Sequence, residues 1–401
     1  MDGNLAEQYA VQRGANALDN STLLPLEPSL GNVHQPASQF GLHPQLTSLQ
    51  SLYNDGDALF VANAGMLIEP LTKQDFATKS KALPDQLFAH NTQTRYTQTA
   101  NPTSLTRTDG VLGRMINALH ADGYSTASYS IDSNVAVAIN PTEGSPTIDV
   151  IASQGSGGGY TASVTALHHY ITQLTEVVSG SPFKETWSSV VSRSLDLNRT
   201  RMLADLLSNT ALETEFSENN DYTLPRQLKQ VAKLIKAGVQ GDLADERAVF
   251  YVELPGFDVH TNSIPAMNSL MKQIDSALQL FTDEMKAQQV WDQVTIVQAS
   301  EFGRTITSNG HGVDHAWGGN YFVAGGDVKG RQLLGRFPDD LTPAGPLNVG
   351  RGRLIPTTSW DHIFNAVGAW FDVDSTAMDS VLPTRGNFDD LFEESDMFLA
   401  E

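Results

Sequence analysis

Residues 248–304 decide the fold: Ala248-Val249-Phe250-Tyr251-Val252, the turn Leu254-Pro255-Gly256, the phrase Phe257-Asp258-Val259-His260, a stretch to Met285, the run Val294-Thr295-Ile296-Val297, and Ser300-Glu301-Phe302-Gly303-Arg304. Both apolar runs are short, rich in β-branched and aromatic residues and closed by turn formers, which predicts two strands. Between them Met267, Leu270, Met271, Ile274, Leu278, Phe281 and Met285 recur mostly three and four apart, the stripe of one amphipathic helix. A strand, a loop, a helix and a second strand form a crossover, expected right-handed with both strands parallel in one sheet. Ligands of open α/β sheets bind beyond the carboxyl ends of neighbouring strands. Asp258, His260 and Glu301 are therefore expected at one sheet edge.

Working outward, Leu46 to Tyr53 reads as a short helix and Ala58-Leu59-Phe60-Val61-Ala62-Asn63-Ala64-Gly65 as a buried strand. Leu87-Phe88-Ala89-His90-Asn91-Thr92-Gln93 brings a histidine and polar groups together ahead of a helix from Gly110 to Leu119, whose Val111, Met115, Ala118 and Leu119 share a face. Ala127 to Ile131 and Val135 to Ile139 suggest further short strands. The glycine-rich run Gln154 to Tyr160 has the spacing of neither a P-loop nor a dinucleotide fingerprint and reads as a flexible connection. From Ser163 to Lys236, including His168-His169 and a face of Leu203, Leu206 and Leu207, the chain reads as helical and polar. The expected organisation is one α/β domain over residues 1–401, with residues 155–240 as a helical insertion or cap. Residues 1–40 hold no convincing buried strand, so a leader or first strand is expected to be missing.

Composition excludes several classes. With 401 residues and 40% apolar content the chain can bury a large core. Asp and Glu number 46 against 25 Lys and Arg, a formal net charge of −21, which argues against nucleic acid and anionic membranes as bulk partners while leaving room for a local basic site. The absence of cysteine removes disulfides, thiolate metal sites and cysteine nucleophiles. No apolar run approaches the ~18 residues of a membrane span, and the N-terminus lacks the basic and apolar regions of a signal peptide.

A divalent metal that binds an oxyanion and activates a nucleophile wants neutral imidazole nitrogen and carboxylate oxygen around an open position. Asp258 and His260, two apart in a loop, can reach one ion, and Glu301 can join from the next strand end. His311, Asp314 and His315, in a glycine-containing loop, are further ligand candidates. Arg304 offers a fork of donors that matches phosphate or sulfate oxygens. Taken singly, Asp-X-His is also a common turn device and Glu301 with Arg304 a salt bridge at a helix start. Convergence of Asp258, His260, Glu301, Asp314 and His315 on one sheet edge outweighs five independent structural explanations. His43, His120 and His362 have no such company and read as ordinary surface or core histidines.

The phrases Gly41-Leu42-His43-Pro44, Leu87-Phe88-Ala89-His90-Asn91, Phe257-Asp258-Val259-His260, Ser300-Glu301-Phe302-Gly303-Arg304-Thr305, Val313-Asp314-His315 and Pro356-Thr357-Thr358-Ser359-Trp360-Asp361 resemble, in order, those of the "domain of unknown function 1501" proteins. The resemblance runs from about Tyr9 to Phe388 and is most specific in Ser-Glu-Phe-Gly-Arg-Thr followed by Asp-His. It implies membership of the alkaline phosphatase and sulfatase superfamily, a doubly wound, mostly parallel sheet flanked by helices, and a site for one or two divalent metals. It also implies an exported protein. Asp258 and His260 match one metal-ligand pair, and Glu301 stands where related enzymes place the Asp of an Asp-His pair. Two departures stand out. The family's early Gly-Gly-X-Asp strand has no counterpart, and Ala89 replaces the serine that tends to precede His90, leaving Thr92 as the stand-in nucleophile.

These readings together describe a metal-dependent hydrolase-like protein acting on or binding a small or polymeric phosphate or sulfate ester. Zn, Mn, Ca or Mg would be held by Asp258, His260, Glu301, Asp314 and His315. Thr92 or water would be the nucleophile, Arg304 the clamp, and His90 or His315 the proton carrier. The competing reading is a degenerate, non-catalytic surface or structural protein that keeps the fold and a cation site.

Overall fold

A computed structural model describes residues 3–29, 35–132, 136–142, 148–153, 197–216, 222–261 and 263–400. Among them the architecture is mixed α/β, with helices and sheets and no closed barrel. The central strand β3 (Ala58–Gly65), the third in the chain after the short antiparallel pair β1 (Leu24–Leu26) and β2 (Phe40–Leu42), is buried along almost its whole length. It runs antiparallel to β8 (Gly319–Gly325) and parallel to β9 (Leu333–Leu334) and β10 (Thr358–Ser359), and β8 continues antiparallel to β7 (Thr295–Val297). A second, wholly parallel sheet has the order β5-β4-β6, with β4 (Thr126–Ile131) between β5 (Ile148–Ile151) and β6 (Arg247–Tyr251).

Alternation along β3 explains why its sequence is a continuous apolar run. Ala58, Phe60 and Ala62 join one core and Leu59, Val61 and Ala64 the other, as Phe322 and Ala324 of β8 oppose Tyr321 and Val323. A strand covered on both faces has no polar side to show. The first core is completed by α2 (Thr47–Asp55), α7 (Thr223–Val239) and α8 (Ser263–Ala287), through Leu49, Leu52, Leu228, Val231, Leu278 and Phe281. The second is completed by α4 (His90–Thr99), α5 (Val111–Ala121) and α9 (Trp360–Trp370), through Tyr96, Met115, Leu119, Ile363 and Phe364. Asp275 of α8 caps α2 in trans, accepting from Ser48 N at 2.7 Å and Leu49 N at 3.2 Å. Its buried carboxylate thereby satisfies amides that α2 cannot pair internally.

The expected helices at 46–53 and 110–119 and strands at 58–65 and 127–131 are present within a residue or two. The stripe of α8 is buried at Leu278, Phe281 and Met285, whereas Met271 and Ile274 are only partly covered. Three expectations change. Residues 1–40 do carry strand structure, the β1–β2 ladder, though β1 is buried only at Leu26. Val137–Ile139 is a 3-10 turn, because Gly110 N takes Asn140 O at 2.8 Å and the absent side chains of Gly110 and Gly113 let this backbone press onto α5. The strands flanking α8 belong to different sheets, β6 beside β4 and β7 beside β8, so the crossover pairs no parallel neighbours of its own. The run Gln154 to Tyr160 and His168-His169 lie outside the described residues; of the expected insertion, α6 (Leu197–Asn209) and α7 are seen, with Leu203 and Leu207 buried. No described helix is long and apolar enough to cross a membrane.

Candidate metal centre

Four loops meet where β6 and β7 end and where β8 and α4 begin. Phe88 sits in the left-handed region at φ 73 and leads through Ala89 into His90, the first residue of α4. Asp258 and His260 lie in the loop after β6, and Glu301 and Arg304 in the loop after β7. Asp314 and His315 precede β8. Residues 303–305 and 314–317 pair as a tight irregular ribbon, with Thr305 N on Asp314 O at 3.0 Å, Ala316 N on Gly303 O at 2.9 Å and Gly303 N on Trp317 O at 3.0 Å. Gly303 is required here, since a Cβ would stand 2.2 Å from Gly318 O. Asn309 shapes the next turn by accepting from His311 N and Gly312 N at 2.9 and 2.8 Å and donating to Asp314 Oδ1 at 2.8 Å.

The result is a cluster of three imidazoles around one carboxylate oxygen. His315 Nε2 lies 3.1 Å from His90 Nε2 and 3.1 Å from His260 Nε2, and Asp258 Oδ1 lies 3.3, 2.9 and 3.0 Å from the Nε2 atoms of His90, His260 and His315. Each opposite ring nitrogen is occupied: His90 Nδ1 donates to Glu301 Oε1 at 2.7 Å, His260 Nδ1 to Asp314 Oδ1 at 3.1 Å, and His315 Nδ1 to Phe88 O at 2.7 Å. An acceptor at Nδ1 fixes the proton there and leaves a lone pair on Nε2. His315 Nε2 stands about 3 Å from the Nε2 atoms of His90 and His260, and Asp258 Oδ1 within 3.3 Å of all three, and such lone pairs repel unless positive charge lies among them. Imidazoles held by an outward N–H bond to a carboxylate or carbonyl are the usual arrangement around a metal.

The spacing also fits. Tetrahedral bonds of about 2.0–2.1 Å separate ligand atoms by about 3.3 Å, and the His90, Asp258 and His315 atoms, all within 4.8 Å of one another, form a triangle with sides of 3.1, 3.0 and 3.3 Å. Charge around it is arranged to keep the carboxylates ionised. Burial works to raise Asp258, but Arg304 Nη2, 2.6 Å from Oδ1, holds it well below the usual carboxylate range. Glu301 is likewise lowered despite burial, by its own backbone amide, His90 and Ser300. Asp314 is lowered first by Asn309, then by His260 and Arg351. Burial, with Glu253 and Glu301 adding, pushes the Tyr251 phenol up to about 12.

The structure thus brings together His90, Asp258, His260, Glu301, Arg304, Asp314 and His315. Glu301 and Asp314 reach the centre through the outer nitrogens of His90 and His260. Arg304 pairs with Asp258 rather than Glu301, and its Nη1 is buried without a hydrogen-bond partner among the described residues. Thr92 is set apart: roughly 200° of helix separates it from His90, its side chain is buried, and its hydroxyl donates to Gln86 Oε1 at 2.9 Å. His311 is exposed in the turn. Of the remaining histidines, His120 is exposed, His43 Nδ1 accepts from Gln45 N at 3.2 Å, and His362 is a buried cap. Sequence reasoning missed Asn309, the Phe88 carbonyl, and Arg351 and Arg353, which bond Asp314 and the His315 carbonyl. The last two stand in Gly350-Arg351-Gly352-Arg353, where two cations on a glycine turn were a readable signal.

Fold and site define a mixed α/β protein with a histidine and aspartate cluster able to hold a metal ion. The family described as "Protein of unknown function (DUF1501)" matches residues 10–344, and the chain belongs to it. No curated protein matches the sequence. Two crystal structures of Ps i-CgsB, one in complex with k-i-k-neocarrahexaose, are similar at 9% and 10% identity with TM-scores of 0.32 and 0.33. The first alignment covers 82% of this chain and 67% of that one, the second 85% and 71%. So slight a likeness carries no argument about fold or function.

Proposed function

We propose that the chain is a metal-dependent, hydrolase-like protein of the alkaline phosphatase and sulfatase type, on a doubly wound sheet of that kind, which binds or cleaves a phosphate or sulfate ester. One observation carries the reading: His315 Nε2 lies 3.1 Å from the Nε2 atoms of both His90 and His260, with Asp258 Oδ1 beside all three, while each Nδ1 is held from outside. In this reading His90, Asp258, His260 and His315 are the ligands, and Glu301 and Asp314 orient two of them. A set of three imidazoles and one carboxylate suits zinc or manganese better than calcium or magnesium, which prefer all-oxygen sites. A divalent cation held there supplies Lewis acidity and lowers the pKa of water. Arg304 contributes separately. One terminal nitrogen anchors Asp258, and the buried Nη1 is left as a donor for an ester oxygen on which negative charge grows.

Aryl phosphate, phosphodiester and aryl sulfate are to be tested with Zn, Mn, Ca and Mg. Metal-dependent turnover that Glu301→Ala and His315→Ala abolish is expected; undiminished turnover in His315→Ala contradicts the proposal. A second reading, a non-catalytic cation-binding protein, is favoured by the missing nucleophile: Ala89 has no hydroxyl and that of Thr92 is held by Gln86. Stoichiometric metal without turnover on any of the esters selects it.

A further inference from the structure

The turn from Asn348 to Leu354 is not accounted for by a metal centre alone. Its ends pair as an antiparallel bridge, and Gly350, Arg351 and Gly352 take positive φ of 103, 59 and 74. The left-handed region is unfavourable for a residue with a Cβ, and such strain persists where surrounding structure enforces it, often at ligand clamps. Here the enforcement is a clamp onto the segment after Arg304: Ile306 N donates to Gly352 O at 2.9 Å, and a Cβ on Gly352 would stand 2.3 Å from Thr307 N. The turn sends Arg351 to Asp314 and Arg353 to His315, whose carbonyl accepts from Arg353 Nε at 3.0 Å. Arg353 lies over the Phe88 ring, 4.1 Å from its centroid, and its terminal nitrogens have no partner among the described residues.

Arg304, Arg351 and Arg353 thus stand around the cluster in a chain with 25 basic against 46 acidic residues. Among the described residues Asp258 pairs with Arg304 and Asp314 with Arg351, and both carboxylates are shared with histidines. Arg353 is lowered by burial and by the like charge of Arg351. Two guanidinium groups carried two residues apart on a strained turn, that of Arg353 with terminal donors unpartnered among the described residues, match an anion from outside the chain.

We infer that the Arg351–Arg353 turn is a second anion subsite beside the metal cluster, so that the substrate is a polyanion carrying a further sulfate or phosphate group next to the ester at the centre. The inference rests on the proposed function. Its test titrates the metal-loaded chain with a sulfated dextran oligomer and with linear polyphosphate, each against the corresponding inorganic anion. The preferred polymer, which separates sulfate from phosphate as the natural group, is expected to bind at least tenfold more tightly than its single anion. Arg353→Gln and Arg351→Gly are expected to bring the polymer's affinity down to that of the single anion measured on the same variant; the glycine suits the φ of 59 and guards against misfolding. An advantage retained in both variants, or absent from the wild type, overturns the inference. Metal content measured on the same samples keeps the two ideas apart: a chain without metal counts against the proposed function, whereas the polymer advantage reports on the turn.

Discussion

Among the described residues, two sets of histidine and aspartate side chains do opposite things. At the start of α9, Ser359 Oγ bonds Asp361 at 2.6 Å, Thr384 Oγ1 adds a bond at 2.9 Å, His362 Nδ1 accepts from Ser359 N at 3.2 Å, and His362 Nε2 lies 3.2 Å from Asp390 Oδ1. Both nitrogens of His362 are used, and the set closes on itself as a helix cap. At the cluster of His90, His260 and His315 every Nδ1 is used, and the Nε2 atoms of His90 and His260 both face that of His315. The residue types are alike. The difference lies in which nitrogen is left over, and that separates a group that finishes a fold from one built to receive something.

The comparison breaks most sharply at His315, whose Nε2 touches those of both other histidines. His315→Ala is expected to lower metal affinity more than 100-fold, since even the groups orienting metal ligands are worth 10–100-fold; a metal-competition titration reads it. Glu301→Ala, removing only the partner of His90 Nδ1, is expected within that 10–100-fold range, and an unchanged affinity would place Glu301 outside the site. At the other set, His362→Ala should leave metal affinity unchanged but destabilise the fold by roughly 1–3 kcal/mol, the usual cost of a lost cap and stranded buried partners, measured by denaturant unfolding. The smallest effect is a slope. Burial pushes the Asp361 carboxyl up from 3.8 to about 6. The folded state therefore holds this proton more tightly than the unfolded chain, and stability falls as pH rises from about 4 through about 6. Asp361→Asn cannot ionise, so its stability relative to wild type should improve over that interval; a constant difference would contradict the assignment.

Much of the scaffold could be read from the sequence because it rests on local periodicity. β3 and α5 declare themselves by runs and stripes, and α8 does so although its first half is less covered than its second. Sheet partnership could not be read: β6 and β7 are short apolar runs, and such runs carry no information about which neighbour completes their hydrogen bonding. The cluster was readable as a set of residue types but not as a set of roles. Glu301 and Asp314 look like ligands beside Asp258 in a sequence, and only ring orientation shows them bonding Nδ1. His90 is distant in sequence from Asp258 and is delivered by the left-handed turn at Phe88, which nothing in the residue types announces. Thr92 reads as near His90 and is carried away by two residues of helix.

The central claim is that the Nε2 lone pairs of His90, His260 and His315 with Asp258 form a metal-binding cluster. Metal analysis of the purified chain after equilibration with zinc and removal of free ion, beside the double variant Asp258→Ala, His260→Ala, tests it most directly. The account predicts stoichiometric metal in the wild type and its loss in the variant. Full occupancy in the double variant, or none in the folded wild type, would contradict it.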